Sequence, residues 1–130
     1  MKFLGIDYGT KRVGIAVSDD AGMLAFPHSV IPAGGALVDA LDSIAKHEWI
    51  GAIVIGESRN FQQEANPLMR KILELKAELE QRTGLPIYLE PEFLSSRQAE
   101  HIQGKEAATD ASAAALILQS YIDRNKNAKP

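Results

Sequence analysis

The chain has 130 residues with no cysteine, 14 Lys and Arg against 17 Asp and Glu for a formal net charge of −3, and 45% hydrophobic residues. This length predicts a single domain, and the missing thiols exclude disulfides, thiol nucleophiles, cysteine zinc sites and iron–sulfur clusters, with the cytoplasm as the expected location. The mild acidity weighs against a polyanionic partner, because nucleic-acid-binding domains usually carry a basic footprint.

Met1-Lys2 leads directly into a short apolar strand over residues 2–7 rather than into a secretory apolar stretch. No run approaches the ~20 apolar residues of a membrane span, so no membrane partner is expected. Tyr8-Gly9-Thr10-Lys11 reads as a turn and Arg12 to Ser18 as a second strand. Asp19-Asp20-Ala21-Gly22 is a turn signal, and Met23 to Ile31 a third strand whose Pro27 suits a sheet edge. After Pro32 and Gly34-Gly35 the period changes: Leu37, Leu41, Ile44 and Ala45 share one stripe of a helix ending near His47. Ile50 to Ile55 is an apolar, β-branched run suited to a parallel strand buried on both faces.

Asn66-Pro67 marks a helix start, since Asn can cap orphan N–H groups and Pro at the first helical position has none to lose. Leu68, Ile72, Leu75 and Leu79 form its apolar stripe, and Gly84 stops it. Pro86 to Glu90 makes a fifth strand. Ser95 with Gln98 resembles a capping box opening a short helix through Ile102, closed by Gly104. Thr109 or Asp110 begins the last helix, whose first half, Ala111 to Leu118, is apolar enough to require burial, whereas Arg124 to Pro130 reads as a fraying polar tail. The expectation is an α/β fold: a three-stranded antiparallel meander plus two parallel strands in one mixed sheet, flanked by helices. It is assigned to residues 1–124 as one domain, with 125–130 as a flexible basic C-terminal tail.

Three acids stand where this order of elements places chemistry. Asp7 ends the first strand, at the carboxyl edge where open α/β sheets place ligands; it is also readable as a turn aspartate bonding backbone N–H groups before Gly9. Glu92 lies just past the fifth strand and emerges on the same edge if the strands run parallel, although a lone loop glutamate is commonly just solvated. Asp110 stands at the mouth of the last helix, where the helix dipole alone favours an acid by ~0.3–1 kcal/mol. Three carboxylates converging on one point repel one another unless hard cations bind there, and oxygen ligands of this kind suit Mg²⁺ or Mn²⁺. Two such ions can activate a water and stabilise the leaving oxygen of a phosphodiester.

The segment Asp7-Tyr8-Gly9-Thr10-Lys11-Arg12-Val13-Gly14, with the following Ser18-Asp19, resembles the opening pattern of the YqgF family of ribonuclease H-like proteins. Members of that family are described both as Holliday-junction resolvases and as nucleases maturing the small-subunit (16S) rRNA precursor. A second stretch, Pro91-Glu92-Phe93-Leu94-Ser95-Ser96 with Ala99-Glu100, resembles the family's acidic loop. Asp110 with Ala113-Ala114 and Leu116 to Tyr121 resembles its closing helix. The resemblance implies a ribonuclease H-like fold and a metal-dependent nuclease of structured nucleic acid, with Asp7, Glu92 and Asp110 as the catalytic acids holding Mg²⁺ or Mn²⁺, two ions being expected. It implies precursor rRNA as substrate in preference to branched DNA. Junction resolution would call for a homodimer to cut paired strands.

The chain also departs from that pattern. Pro91 and Phe93 stand in place of an acid and an arginine, Glu57-Ser58 follows Gly56 where the family has Leu-Pro, and the segment before Asp110 is short and poor in basic residues. Lys11 and Arg12 are the best remaining phosphate contacts, with Arg59 and Arg97 as candidate replacements for the lost arginine; each also reads as a plain solvated charge. His28, His47 and His101 lack ligand spacing and read as surface or structural, and Trp49 and Phe61 as core or interface residues. Two rivals stay open. An Asp-x-Gly-Thr turn also opens the actin, Hsp70 and sugar-kinase ATPases, which need two such domains, and the same fold can serve as a catalytically silent binding module.

Overall fold

The computed structural model describes residues 1–57, 67–91 and 110–128, with side chains at 1–57, 67–91 and 111–125. Five strands, β1 (Phe3–Tyr8), β2 (Arg12–Ser18), β3 (Ala25–Pro32), β4 (Ala52–Gly56) and β5 (Ile87–Glu90), form one sheet in the order β3-β2-β1-β4-β5. β1 to β3 are the expected antiparallel meander, and β4 and β5 add in parallel on the other side of β1. Pro27 lies on an edge strand as expected, where a missing N–H leaves no ladder bond unmade. The expected helix between Ser95 and Ile102, and Phe61 and His101, lie outside the described residues.

Helices cover both faces. α1 (Leu37–His47) and α2 (Pro67–Thr83) pack on one face, where Leu4, Ile6, Val13, Ile15, Ile53 and Ile55 meet Leu41, Ile72 and Leu79. α3 (Asp110–Ala128) lies on the other, against Phe3, Ala16 and Val54. The period-2 alternation of β1 therefore sends Leu4, Ile6 and Tyr8 toward α1 and α2, and Phe3, Gly5 and Asp7 toward α3. β4 is buried at every position, as its unbroken apolar run requires of a strand covered on both sides.

Ser18 and Asp19 of the opening motif belong to the edge opposite Asp7. The buried Ser18 hydroxyl accepts the Phe3 N–H at 2.8 Å and donates to the Asp19 carbonyl at 2.8 Å, tying β2 to the start of β1. Asp19 Oδ1 accepts the N–H groups of Met23 (2.7 Å) and Leu24 (3.1 Å), which hold its carboxyl below the usual range. Its contribution to the loop is therefore present above the unfolded-state carboxyl pKa and is lost as pH falls through the lower folded value. Ser18→Ala leaves the Phe3 N–H without that partner and is expected to lower stability by about 1–2 kcal/mol, read from the urea midpoint at unchanged m-value.

Two elements differ from the expectation. Of core or interface, the expectation for Trp49, core is excluded: it is 87% exposed and adopts φ 58°, because α1 ends at His47 and the chain must reverse at once into β4. The last helix extends through Ala128, past Arg124, the expected start of the polar tail. Arg124 is held by Glu90, and the Asn125 amide donates to the Tyr121 carbonyl at 2.9 Å.

Candidate active site

Asp7 is half-buried near the carboxyl end of the central strand, paired in register with Gly14 and directed to the α3 side. The turn that follows is tight. A Cβ on Gly9 would stand 2.6 Å from the Arg12 carbonyl oxygen, so only glycine lets the chain reverse there and present Lys11 and Arg12, both exposed, at the same edge.

Two contacts give the course of α3 over β1. Near one end of β1, Phe3 meets Tyr121 edge-on at 5.8 Å between ring centroids. Two residues later a Cβ on Gly5 would touch Leu118 Cβ at 2.8 Å and the Ala114 carbonyl at 3.2 Å, so helix and strand run in opposite directions. Two more residues of strand advance ~6.6 Å, which corresponds to four or five helical residues at about 1.5 Å each. That step carries Gly5 to Asp7 and the contact from between Ala114 and Leu118 to the turn that Asp110 opens. Asp7, near the carboxyl end of β1, and Asp110, the first residue of α3, occupy the strand-end and helix-start positions read from sequence. The positive end of the α3 dipole there favours negative charge.

Glu92, Arg59 and Arg97 lie outside the described residues. Among the described residues no three acids or histidines gather closely enough to hold a metal ion. Asp7 offers a hard oxygen donor at the carboxyl edge, the donor chemistry that Mg²⁺ and Mn²⁺ take. His28 serves structure, its Nδ1 sharing a hydrogen bond with the Ser29 hydroxyl at 2.8 Å and its Nε2 lying 3.6 Å from Glu48.

One residue that matters to the site's frame was not singled out from sequence. Glu90, the last residue of β5, is buried to 2% exposure, accepts the Ser120 hydroxyl at 2.9 Å and pairs with Arg124. The available signal was an acid closing an apolar strand, which requires a partner, but those partners lie 30 and 34 positions away.

Comparison with known proteins gives the family and the fold. Residues 1–124 match the family model of RuvX, described as Holliday junction resolvase. A protein of Oleidesulfovibrio alaskensis curated as "Putative pre-16S rRNA nuclease" is 38% identical, over 95% of this chain and 92% of its own. A Chlamydia trachomatis protein of the same curated name is 33% identical, over 95% of this chain and 93% of its own. Among solved structures, Thermus thermophilus RuvC bound to a Holliday junction superposes with a TM-score of 0.67 over 97% of this chain and 96% of that one, at 19% identity, a likeness of fold. The opening motif, the mixed sheet with its α3 cover and these matches over nearly the whole length agree, and the chain belongs to the RuvX family.

Proposed function

We propose that this protein is a metal-dependent nuclease that hydrolyses phosphodiester bonds of structured nucleic acid, trimming the 5′ end of the small-subunit rRNA precursor. The observation that carries the reading is the placement of Asp7 at the carboxyl edge of the central strand, in a chain of the RuvX family. The curated names of its relatives support the RNA substrate over branched DNA. The family description favours a second reading, a Holliday-junction endonuclease working as a homodimer.

Asp7, Asp110 and Glu92 are the residues that would hold Mg²⁺ or Mn²⁺, two ions in the reading adopted here. Bound divalent ions supply a neutral-pH nucleophile and Lewis-acid stabilisation of the leaving oxygen in an in-line attack. Lys11 and Arg12 contact backbone phosphates beside Asp7, and Arg59 and Arg97 extend that contact from the adjoining loops. The formal charge of −3 is then no obstacle to a polyanion, because two divalent ions more than offset it, so binding follows both metal and salt. Among the described residues no helix is long and apolar enough to cross a membrane, and an rRNA substrate places the protein in the cytoplasm. Residues 1–124 act as the single nuclease unit.

The test is cleavage of labelled precursor rRNA and of a four-way DNA junction with Mn²⁺. Precursor trimming supports the first reading, junction cutting alone the second, and no metal-dependent cleavage of either leaves a silent binding module. Replacing Lys11 and Arg12 together by Ala is expected to weaken RNA binding and to reduce the slope of log K against log[salt] by about 2. An unchanged slope would remove both from the phosphate contacts.

A further inference from the structure

α3 meets the sheet through two kinds of contact. In its first half they are apolar and non-directional: Ala114 and Leu118 lie on Gly5, and Ile117 on Gly56. Such packing resists separation but contributes no directional bond. The directional contacts gather in the second half of the helix and reach both margins of the sheet. On one margin the Gln119 side-chain amide stands in for a strand at the start of β3. Its Oε1 accepts the Ala25 N–H at 2.8 Å, and its Nε2 donates to the Met23 carbonyl at 3.1 Å and to Asp123 Oδ1 at 3.0 Å. On the other margin Glu90 accepts the Ser120 hydroxyl at 2.9 Å and the Arg124 guanidinium. The Glu90 side chain is 3% exposed, so it requires both partners, and its own carbonyl accepts the Glu57 N–H at 2.8 Å, which ties the ends of β4 and β5 together.

The geometry points to Gln119 and the Glu90–Arg124 pair as positioning residues for Asp110. A helix is stiff, so pins at residues 119, 120 and 124 govern its first residue about 14–21 Å away. Because they hold strands at opposite margins, they fix both slide and rotation of α3 and so set where Asp110 meets Asp7. This inference rests on the nuclease reading, in which those two acids act together.

Glu90→Gln keeps an acceptor for Ser120 and removes the charge that holds Arg124, while Gln119→Leu removes the bonds to β3. The readouts are Mn²⁺ affinity by titration calorimetry, and kcat and KM on labelled precursor rRNA. Each variant is expected to weaken Mn²⁺ binding and lower kcat by at least about tenfold with KM within about twofold, since a displacement of about 1 Å at reacting groups is worth about 100-fold. Arg124→Gln should behave like Glu90→Gln, and Arg124→Lys, which keeps a cation for Glu90, should regain part of the loss. A purely structural role would lower the melting temperature and leave Mn²⁺ affinity and kcat of the folded protein unchanged, and that result overturns the inference. Failure of the nuclease reading looks different: the unmodified chain would neither bind Mn²⁺ nor cleave, which overturns both.

Discussion

Asp7→Asn is expected to lower Mn²⁺-dependent cleavage by about 100- to 1,000-fold, the range seen when one preorganised electrostatic contact to a transition state is removed. The substitution keeps the side chain's shape, removes its charge and turns one acceptor oxygen into an NH₂ donor, so the half-buried position near the end of β1 stays filled. Stability should respond weakly. Loss of the carboxylate forfeits at most a helix-dipole attraction, worth about 0.3–1 kcal/mol. The contrast should widen when metal is added: Mn²⁺ raises the melting temperature of the unmodified chain by mass action and raises that of the variant less. Cleavage within threefold of the unmodified protein would take Asp7 out of the catalytic group.

The order of elements was legible because it depends on local signals. Pro67 opens α2 and Gly84 follows its end, and the even burial of β4 follows from a run of β-branched residues that no single-sided strand would carry. The central place of β1, antiparallel to β2 and parallel to β4, follows from the same patterns once crossovers are taken as right-handed. Contacts between distant segments were not legible. Nothing near Gln119 shows that its amide will pair with the start of β3, and nothing near Glu90 shows that Ser120 and Arg124 will cover it. Trp49 shows the converse case. Its composition argues for burial, yet the chain reversal after α1 turns it to solvent. The Ser18-Asp19 portion of the family motif was recognisable as a pattern, but its role, closing the edge opposite Asp7, depends on the pairing of β1 with β2. Asp7 and Asp110 were legible because each sits at an end of an element, where local signals are strongest.

Two glycines on the face under α3 provide a test of how closely the helix must approach. Gly5→Ala is expected to cost about 2–3 kcal/mol and Gly56→Ala under about 1 kcal/mol, although both add the same methyl group. On Gly5 the new carbon would lie 2.8 Å from Leu118 Cβ and 3.2 Å from the Ala114 carbonyl oxygen. Neither atom can swing aside, because both are fixed by the helix backbone, so the middle of α3 must lift away from β1. On Gly56 the nearest atom, at 2.7 Å, is Ile117 Cδ1, the far end of a side chain that can rotate, with its next atoms at 3.4 Å and beyond. Both positions gain a little from the lower unfolded-state entropy of alanine, so this term does not separate them. For a domain of this size the difference should appear as about 5–10 °C in melting temperature. The functional consequence follows from the same displacement. Lifting α3 at Ala114 carries its first turn away from Asp7, so Gly5→Ala should lower kcat even at temperatures where it is fully folded, and Gly56→Ala should not. Equal melting temperatures for the two variants would mean that α3 adjusts freely over β1, and the close approach of helix and strand would then not be what holds the acid-bearing ends together.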